Sequence, residues 1–243
     1  MRFFYFILAL SLFSAQTFAQ LPEGTSTPSF AELHVYPFFH KAVDENSQFI
    51  LAGGVISVAI VNPQDDQIRA DWKNHHYMDS NTAKVGDVMG SGAAGILALG
   101  GQYFFDAEND HWISHARALV WSTVFSSLMK YSFGRPRPGN SDDHHSFPSG
   151  HTTTAFTTAT SLTYAYGWKA GAVAYPLAVF VAASRLSDDV HWGSDVVAGA
   201  FVGFWAARAS YYSTQEITDE KRKSVFLPVV SPAQLGVQWV YSY

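Results

Sequence analysis

Six apolar stretches, each long enough for several helical turns, constrain the fold of this chain most strongly. They occupy residues 49–61, 84–105, 112–133, 152–166, 169–187 and 194–210. Turns rich in glycine, proline, asparagine and aspartate separate them, and nothing before residue 224 alternates as a half-buried strand does. The pattern predicts an all-α fold, a single helical bundle without internal repeats.

Small side chains are frequent in these stretches, as in "GDVMGSGAAGILALGG" at residues 86–101. They let helices approach closely, in a soluble bundle or in a membrane. Residues 85–105 and 169–184 approach spanning length, but Asp87 and Lys169 interrupt or flank them, and the mean hydropathy is only +0.01. Both settings stay open, with membrane association slightly favoured.

The composition excludes several functional classes. Charged residues make up 14% of the chain and the net charge is −5, so there is no basic field for a nucleic-acid partner. The sequence contains no cysteine, which excludes disulfides, a catalytic thiol and a cysteine-ligated metal.

Both ends differ from the helical part. Residues 1–19 are predicted to be a cleaved signal peptide, because Arg2 precedes a short apolar run and small residues stand before Gln20. We therefore expect an exported protein, periplasmic or membrane-associated, with its site outside the cytoplasm. Residues 20–48 form an N-terminal extension broken by prolines, and the helical domain follows at 49–212.

Residues 224–243 form a separate tail. Alternate positions carry apolar or aromatic side chains, which indicates a strand: Leu235, Val237, Trp239, Tyr241 and Tyr243. Outer-membrane barrels also end in an aromatic strand, but one hairpin cannot close a barrel. A short C-terminal β-ribbon that packs on the helical domain is the favoured prediction.

Three polar segments stand out in a chain so poor in charge. "KYSFGRPRP" (130–138) places Lys130 near a helix end and Arg137 on the loop that follows. "PSGH" (148–151) combines Pro148, which suits a first helical turn, with Ser149 and Gly150, whose amides would face an anion at the positive helix end. His151 would stand beside that anion.

The third segment, "SRLSDDVHWGSD" (184–195), contains Arg185, His191 and Asp195. If the last helix begins near His191, the i, i+4 spacing places His191 and Asp195 on one face. The carboxylate can then accept the Nδ1 hydrogen and leave Nε2 free to attack. Taken separately, the cations could be ordinary helix-end charges and the pair a surface ion pair.

Together the three segments resemble the type 2 phosphatidic acid phosphatase superfamily, which includes bacterial nonspecific acid phosphatases and vanadium haloperoxidases. The family pattern is Lys, six residues, Arg-Pro; then Pro-Ser-Gly-His; then Ser-Arg, five residues, His, three residues, Asp. The chain matches it in order, over roughly residues 85–210. The resemblance implies a helical phosphatase domain at 49–212.

The resemblance also implies a role for each matching residue. His191 would be the nucleophile that forms a phosphohistidine, Asp195 would orient it, and His151 would protonate the leaving oxygen and then activate water. Five groups would bind the phosphate oxygens: Lys130, Arg137, Ser149, Gly150 and Arg185. Because three fixed cations take the part that a metal plays elsewhere, we expect no metal and no cofactor.

The substrate is expected to be a phosphorylated small molecule or a lipid phosphate, either a monoester or a diphosphate. A broad-specificity soluble periplasmic acid phosphatase is the alternative, and a vanadate-dependent haloperoxidase or a non-enzymatic interaction protein is less favoured. His111 and His115 have the spacing of a zinc pair, but no third ligand is evident nearby. "DDHH" (142–145) is expected to be solvated or to control access to the site.

Overall fold

The computed structural model describes residues 29–106, 109–231 and 234–241, with side chains up to residue 218. The α-helices in these ranges are α1 Phe30–His34, α2 Tyr36–Ala42, α3 Glu45–Val61, α4 Asp65–His75, α5 Ser80–Val88, α6 Ala94–Phe105, α7 His111–Phe133, α8 Gly150–Tyr166, α9 Trp168–Ser187 and α10 Gly193–Lys223. A 3₁₀ turn, Asn62–Gln64, joins α3 to α4, and a π-helical turn, Met89–Ala93, joins α5 to α6. The predicted helical bundle is confirmed.

Helix α10 is the centre of the bundle and packs against α2, α3, α7 and α8. Helices α8 and α10 approach to backbone contact, because Gly199 and Gly203 carry no side chain between them. A Cβ at Gly203 would lie 2.5 Å from the carbonyl oxygen of Thr153, and one at Gly199 would lie 2.6 Å from that of Ser149. This contact fixes the start of α8, which carries the second motif, against α10. Helix α10 carries Asp195, the last residue of the third motif.

An aromatic cluster fills the core between α2, α7 and α10. The ring of Phe38 stacks on Trp121 at 4.9 Å, and Trp205 meets Phe38 and Phe125 edge to face. The indole N–H of Trp205 donates to the carbonyl oxygen of Ala42 at 2.8 Å. The packed core therefore begins before residue 49, the predicted start of the helical domain.

We expect Trp205→Ala to lower the free energy of unfolding by about 3–5 kcal/mol, because it opens a cavity in this cluster and leaves a buried carbonyl without its donor. Thermal unfolding in detergent micelles measures the change. Trp168→Ala is the matched control, since Trp168 is 75% exposed. Equal shifts in the two variants would contradict this account of the core.

Residues 62–81, which lie between the apolar stretches at 49–61 and 84–105, are largely helical. Asp65 and Asp66 lie in the first turn of α4, and Lys73 and His75 lie in its last turn, where each charge favours the helix dipole. A helix that is polar on most faces shows no apolar period, which is why the sequence pattern did not predict it.

The single helix expected at 84–105 is divided. Helix α5 ends at Val88, and the π-helical turn contains Gly92 with a φ of +102°, a conformation that favours glycine. Helix α10 in turn runs to Lys223, past the expected end at residue 210. Its later residues, "YYSTQEITDEKRK", are mostly polar, so apolar periodicity fades before the helix ends.

Among the described residues, three helical segments are long and apolar enough to cross a membrane, by length and composition: Glu45–His75, Ser80–Phe105 and Trp168–Ser187. Most of their surface is not covered by other parts of the bundle, since 11%, 17% and 33% of the respective apolar windows are buried. Large apolar side chains such as Phe49, Leu97 and Phe104 are exposed on these segments.

After α10 the chain forms two antiparallel strands, β1 Ser224–Ser231 and β2 Gln234–Tyr241, with Ser224 opposite Tyr241. Side chains from residue 219 onward lie outside the described part of the structure, so the β-ribbon that packs on the helical domain stays a prediction. The predicted signal peptide also lies outside the described residues.

Candidate active site

The structure brings the three motifs together at one end of the bundle. The ammonium group of Lys130 donates to the carbonyl oxygen of Pro148 at 2.7 Å, which joins the first motif to the second. The amide of Ser149 donates to the carbonyl oxygen of Asp195 at 3.0 Å, which joins the second to the third. Burial lowers the pKa of His151 and of His191, and the charges of Lys130 and Arg137 lower both further, so these groups share one cluster.

His191 and Asp195 form the buried centre of this cluster. His191 Nδ1 lies 3.6 Å from Asp195 Oδ2, and the side chains are 3% and 0% exposed. His191 lies in the turn before α10, which begins at Gly193, so the pair forms across the start of the helix and not within it. The turn itself forms the pair, because Asp195 Oδ2 also accepts the amide hydrogen of Trp192 at 2.9 Å.

Asp195 is held as a carboxylate by its neighbours. Burial raises its pKa, but hydrogen bonds and charges from His191, Arg135 and Ser146 outweigh burial and place the pKa below its usual value. Burial lowers the pKa of His191, although Asp195 opposes this. The pair is therefore a neutral imidazole beside a fixed negative charge, the state that a nitrogen nucleophile requires.

Arg135, which the motif analysis did not single out, connects this centre to α4. Its Nη1 donates to Asp195 Oδ1 at 2.7 Å and its Nη2 donates to Asp65 Oδ2 at 2.7 Å. Asp65 in turn accepts from the amide and the hydroxyl of Ser194 at the start of α10. The only sequence signal for Arg135 was its place in the loop "GRPRP", one Arg-Pro before the motif's own.

The motif cations are partly engaged by the loop between the first two motifs. Lys130 donates to the carbonyl oxygens of His145 and Pro148, at 2.7 Å each, which leaves one of its three hydrogens for a ligand. Burial and the charge of Arg137 lower the pKa of Lys130 to about 8. Arg137 Nε lies 2.9 Å from Asp143 Oδ2, so one acidic residue of "DDHH" pairs with a motif cation.

Helix α8 begins at Gly150 with Ser149 as its N-cap, so Pro148 precedes the helix instead of lying in its first turn. The Ser149 hydroxyl accepts from the amide of Thr152 at 3.4 Å and from its hydroxyl at 3.0 Å, and the side chain of Ser149 is fully buried. Gly150 lies beside Lys130, since a Cβ there would lie 3.7 Å from Lys130 Cε. Ser149 is thus already engaged in the fold, and Gly150 lies beside a motif cation.

The second half of the cluster lies against α5. Arg185 is 4% exposed, and its Nη2 donates to Asp188 Oδ2 at 3.0 Å. Its Nη1 donates to Asp87 Oδ1, and His151 Nε2 lies 3.1 Å from the same oxygen. Burial and the charge of Arg185 lower the pKa of His151, while Asp87 raises it. In the sequence, Asp87 is visible only as an interruption of an apolar stretch.

The histidine pair with zinc-like spacing is engaged elsewhere. His111 Nδ1 lies 2.7 Å from Asp106 Oδ2, whereas the buried His115 lies between Gln102 and Thr158. In the part of the chain that the structure describes, no three His, Asp or Glu side chains form a group that could hold a metal ion.

An apolar cleft of about 570 Å³ opens beside the cluster, between α3 and the end of α7. Val55 and Val58 line one wall, and Phe133, Arg135 and Phe147 line the other. Arg135 therefore faces the cleft and also binds Asp195, so the cleft adjoins the buried centre of the site.

Comparisons with known proteins agree with this geometry. Residues 111–219 match the family model "PAP2 superfamily". The Porphyromonas gingivalis protein named lipid A 1-phosphatase is 42% identical over 86 residues, which are 34% of this chain and 19% of that relative. The chain thus spans about a fifth of that relative's length.

Two solved structures share the fold. Aquifex aeolicus LpxE superposes with a TM-score of 0.50 at 25% identity, over 57% of this chain and 90% of that one. The transmembrane PAP2-type phosphatidylglycerolphosphate phosphatase from Bacillus subtilis has a TM-score of 0.52 at 19% identity, over 71% and 94%. The family match over residues 111–219, with the three motifs at one site, makes the chain similar to the PAP2 superfamily, and the two solved structures share its fold.

Proposed function

We propose that the protein is a metal-independent phosphatase that hydrolyses a lipid phosphate through a phosphohistidine intermediate. The observation that supports this most is the buried His191–Asp195 pair, with Lys130 and Arg137 of the first motif and Arg185 of the third in the same cluster. Such an arrangement combines a nucleophile with fixed positive charge for the oxygens of a phosphoryl group.

In the first step His191 Nε2 attacks phosphorus as the bond to the leaving oxygen breaks. Lys130, Arg137 and Arg185 hold the non-bridging oxygens, with the Gly150 amide and the Ser149 hydroxyl as further donors. His151 gives its proton to the leaving oxygen. Asp195 stabilises the positive charge that develops on His191, and we expect the 3.6 Å separation to shorten as it does so.

In the second step a water molecule attacks the phosphohistidine. His151, now neutral, takes the proton of that water, and the bond between phosphorus and His191 Nε2 breaks. Inorganic phosphate leaves, and both histidines return to their first protonation state. His151 therefore serves as the general acid of the first step and the general base of the second, and the reaction needs no further group for proton transfer.

Two features favour a lipid as the substrate. Three segments of the chain could cross a membrane, and the apolar cleft next to Arg135 could take a hydrocarbon part of the substrate while its phosphate lies among the cations. Two of the similar proteins are named for lipid phosphates, a lipid A 1-phosphatase and a phosphatidylglycerolphosphate phosphatase. Membrane association, with the site on the non-cytoplasmic side, belongs to this proposal.

The test measures phosphate release by the purified mature protein with a chelator present. Phosphatidic acid in mixed micelles is compared with a soluble aryl phosphate, and His191→Ala serves as the blank. We expect release that resists the chelator and a kcat/KM at least about tenfold higher for the lipid, the gain that contacts to a hydrocarbon chain provide. Activity that a chelator abolishes and a divalent ion restores would refute metal independence, and equal turnover of both substrates would refute the preference for lipid.

A further inference from the structure

The carboxylate of Asp87 is a charged group of the site that neither the motifs nor the proposed mechanism uses. Asp87 lies on α5, far in sequence from both of its partners. Its Oδ1 accepts from Arg185 Nη1 at 2.5 Å and lies 3.1 Å from His151 Nε2. One carboxylate oxygen therefore stands between the general acid and a phosphate-binding cation.

Close packing places Asp87 there. Two glycines flank it at i−1 and i+3, and both are needed for the approach of α5 to α8 and α9. A Cβ at Gly90 would lie 2.7 Å from the Cβ of His151, and one at Gly86 would overlap the side chain of Ser184. Arg185 Nη2 also reaches the carbonyl oxygen of Ala83 on α5, at 3.4 Å. The contact thus lies at the edge of a packed interface, where the Asp87 side chain is 52% exposed and Arg185 is buried.

In the described part of the chain, the other charges that act most strongly on His151 are positive. They come from α7, from the loop after it and from α9: Lys130, Arg137 and Arg185. Burial and each of these charges lower the pKa of His151, because they disfavour the protonated ring. The charge of Asp87 raises that pKa. A general acid must hold its proton until the leaving oxygen takes it, so Asp87 supplies the charge that this residue needs.

We propose that Asp87 is a positioning residue of the active site, which favours the protonated form of His151 and holds Arg185 in place until the phosphate of the substrate arrives. This inference rests on the proposed function. It assigns Asp87 no contact with the reacting atoms, since it acts through His151 and Arg185.

The sign of the expected effect follows from linkage. The acid form of His151 is present below its pKa, and removal of a neighbouring negative charge lowers that pKa. Asp87→Asn should therefore move the high-pH limb of the kcat/KM profile to lower pH, by roughly half a unit to one unit for a partly exposed carboxylate. On that limb the activity of the variant falls about threefold to tenfold, while activity at the low-pH side stays close to wild type.

Asp188→Asn is the matched control. Asp188 is the second carboxylate on Arg185, at 3.0 Å, so this variant disturbs Arg185 without removing the charge beside His151. Its high-pH limb should stay in place. Lys130, whose pKa is about 8, also titrates on the high-pH limb. Because Lys130 is the same in both variants, a difference between their profiles cannot come from a change at that residue.

A second measurement does not depend on turnover. NMR of histidine-labelled protein, with the His151 signal assigned from a His151→Gln sample, gives the ring pKa in the wild type and in both variants. We expect a lower value in Asp87→Asn only. An unchanged ring pKa in a folded Asp87→Asn protein, or an equal shift in Asp188→Asn, would overturn the inference. A wild type that releases no phosphate would instead count against the proposed function, and the ring titration would still decide the part played by Asp87.

Discussion

His191→Ala is expected to reduce phosphate release by at least about a thousandfold, because it removes the group that forms the covalent intermediate. The side chain is almost fully buried beside Asp195, so a water molecule that replaced it would have no comparable position for attack. Loss of the whole reaction, and not a higher KM alone, is the result to look for.

The decisive measurement is the intermediate itself. Rapid quenching with a ³²P-labelled aryl phosphate should give a labelled wild-type protein whose phosphoryl group survives alkali and is lost in acid. His191→Ala should carry no label. His151→Gln should keep its label for longer than the wild type, because a good leaving group needs no protonation in the first step whereas the water of the second step needs a base.

His144→Ala is the matched control, an exposed histidine in the loop between the first two motifs. It should be labelled and turn over like the wild type. Label that persists in His191→Ala would assign the nucleophile to another residue, and label in none of the proteins would favour direct attack by water.

The three motifs could be picked out in the sequence because their spacing reflects chemistry that short segments carry. Lys130, His151 and His191 come from different segments, and the structure brings them to one end of the bundle. The helical pattern likewise predicted the bundle, since apolar stretches of this length need partners on several faces. The roles assigned to these residues remain predictions.

The residues that support the motifs could not be predicted in this way. Arg135 meets Asp65 across 70 residues of chain, and Asp87 meets Arg185 across 98. Such ion pairs depend on how the helices pack. The position of a single carboxylate in the sequence does not indicate which residue it will pair with. The glycines at 86 and 90 were visible as small residues, but only the structure shows which helices they admit.

Helix boundaries near the site were also beyond the sequence pattern. The pair of His191 and Asp195 has helical spacing, yet the helix begins between them at Gly193. Hydrogen bonds to the Asp195 side chain from Ser146 and from the amide of Trp192 decide the turn. Local capping of this kind overrides a spacing rule that applies only inside a continuous helix.

The second large effect is expected for Arg135→Ala, which leaves two buried carboxylates without their shared cation. Asp195 and Asp65 are 0% and 5% exposed, and each is 2.7 Å from the Arg135 guanidinium. Removal of one partner from such a group costs about 3 kcal/mol or more in the free energy of unfolding. Because Asp195 then loses its fixed position behind His191, we also expect kcat to fall roughly a hundredfold with little change in KM.

Arg69→Ala is the matched control for this variant. Both guanidinium groups lie against the ring of Trp192, at 5.7 Å for Arg69 and 5.2 Å for Arg135, but Arg69 pairs with Asp189 and makes no contact with Asp195. Arg135→Lys should recover little, because a single ammonium cannot bridge two carboxylates as the forked guanidinium does. Thermal unfolding and steady-state kinetics, measured below the unfolding temperature of each variant, separate stability from catalysis. A kcat that falls equally in Arg69→Ala, or that survives in folded Arg135→Ala, would mean that Asp195 orients His191 without help from α4.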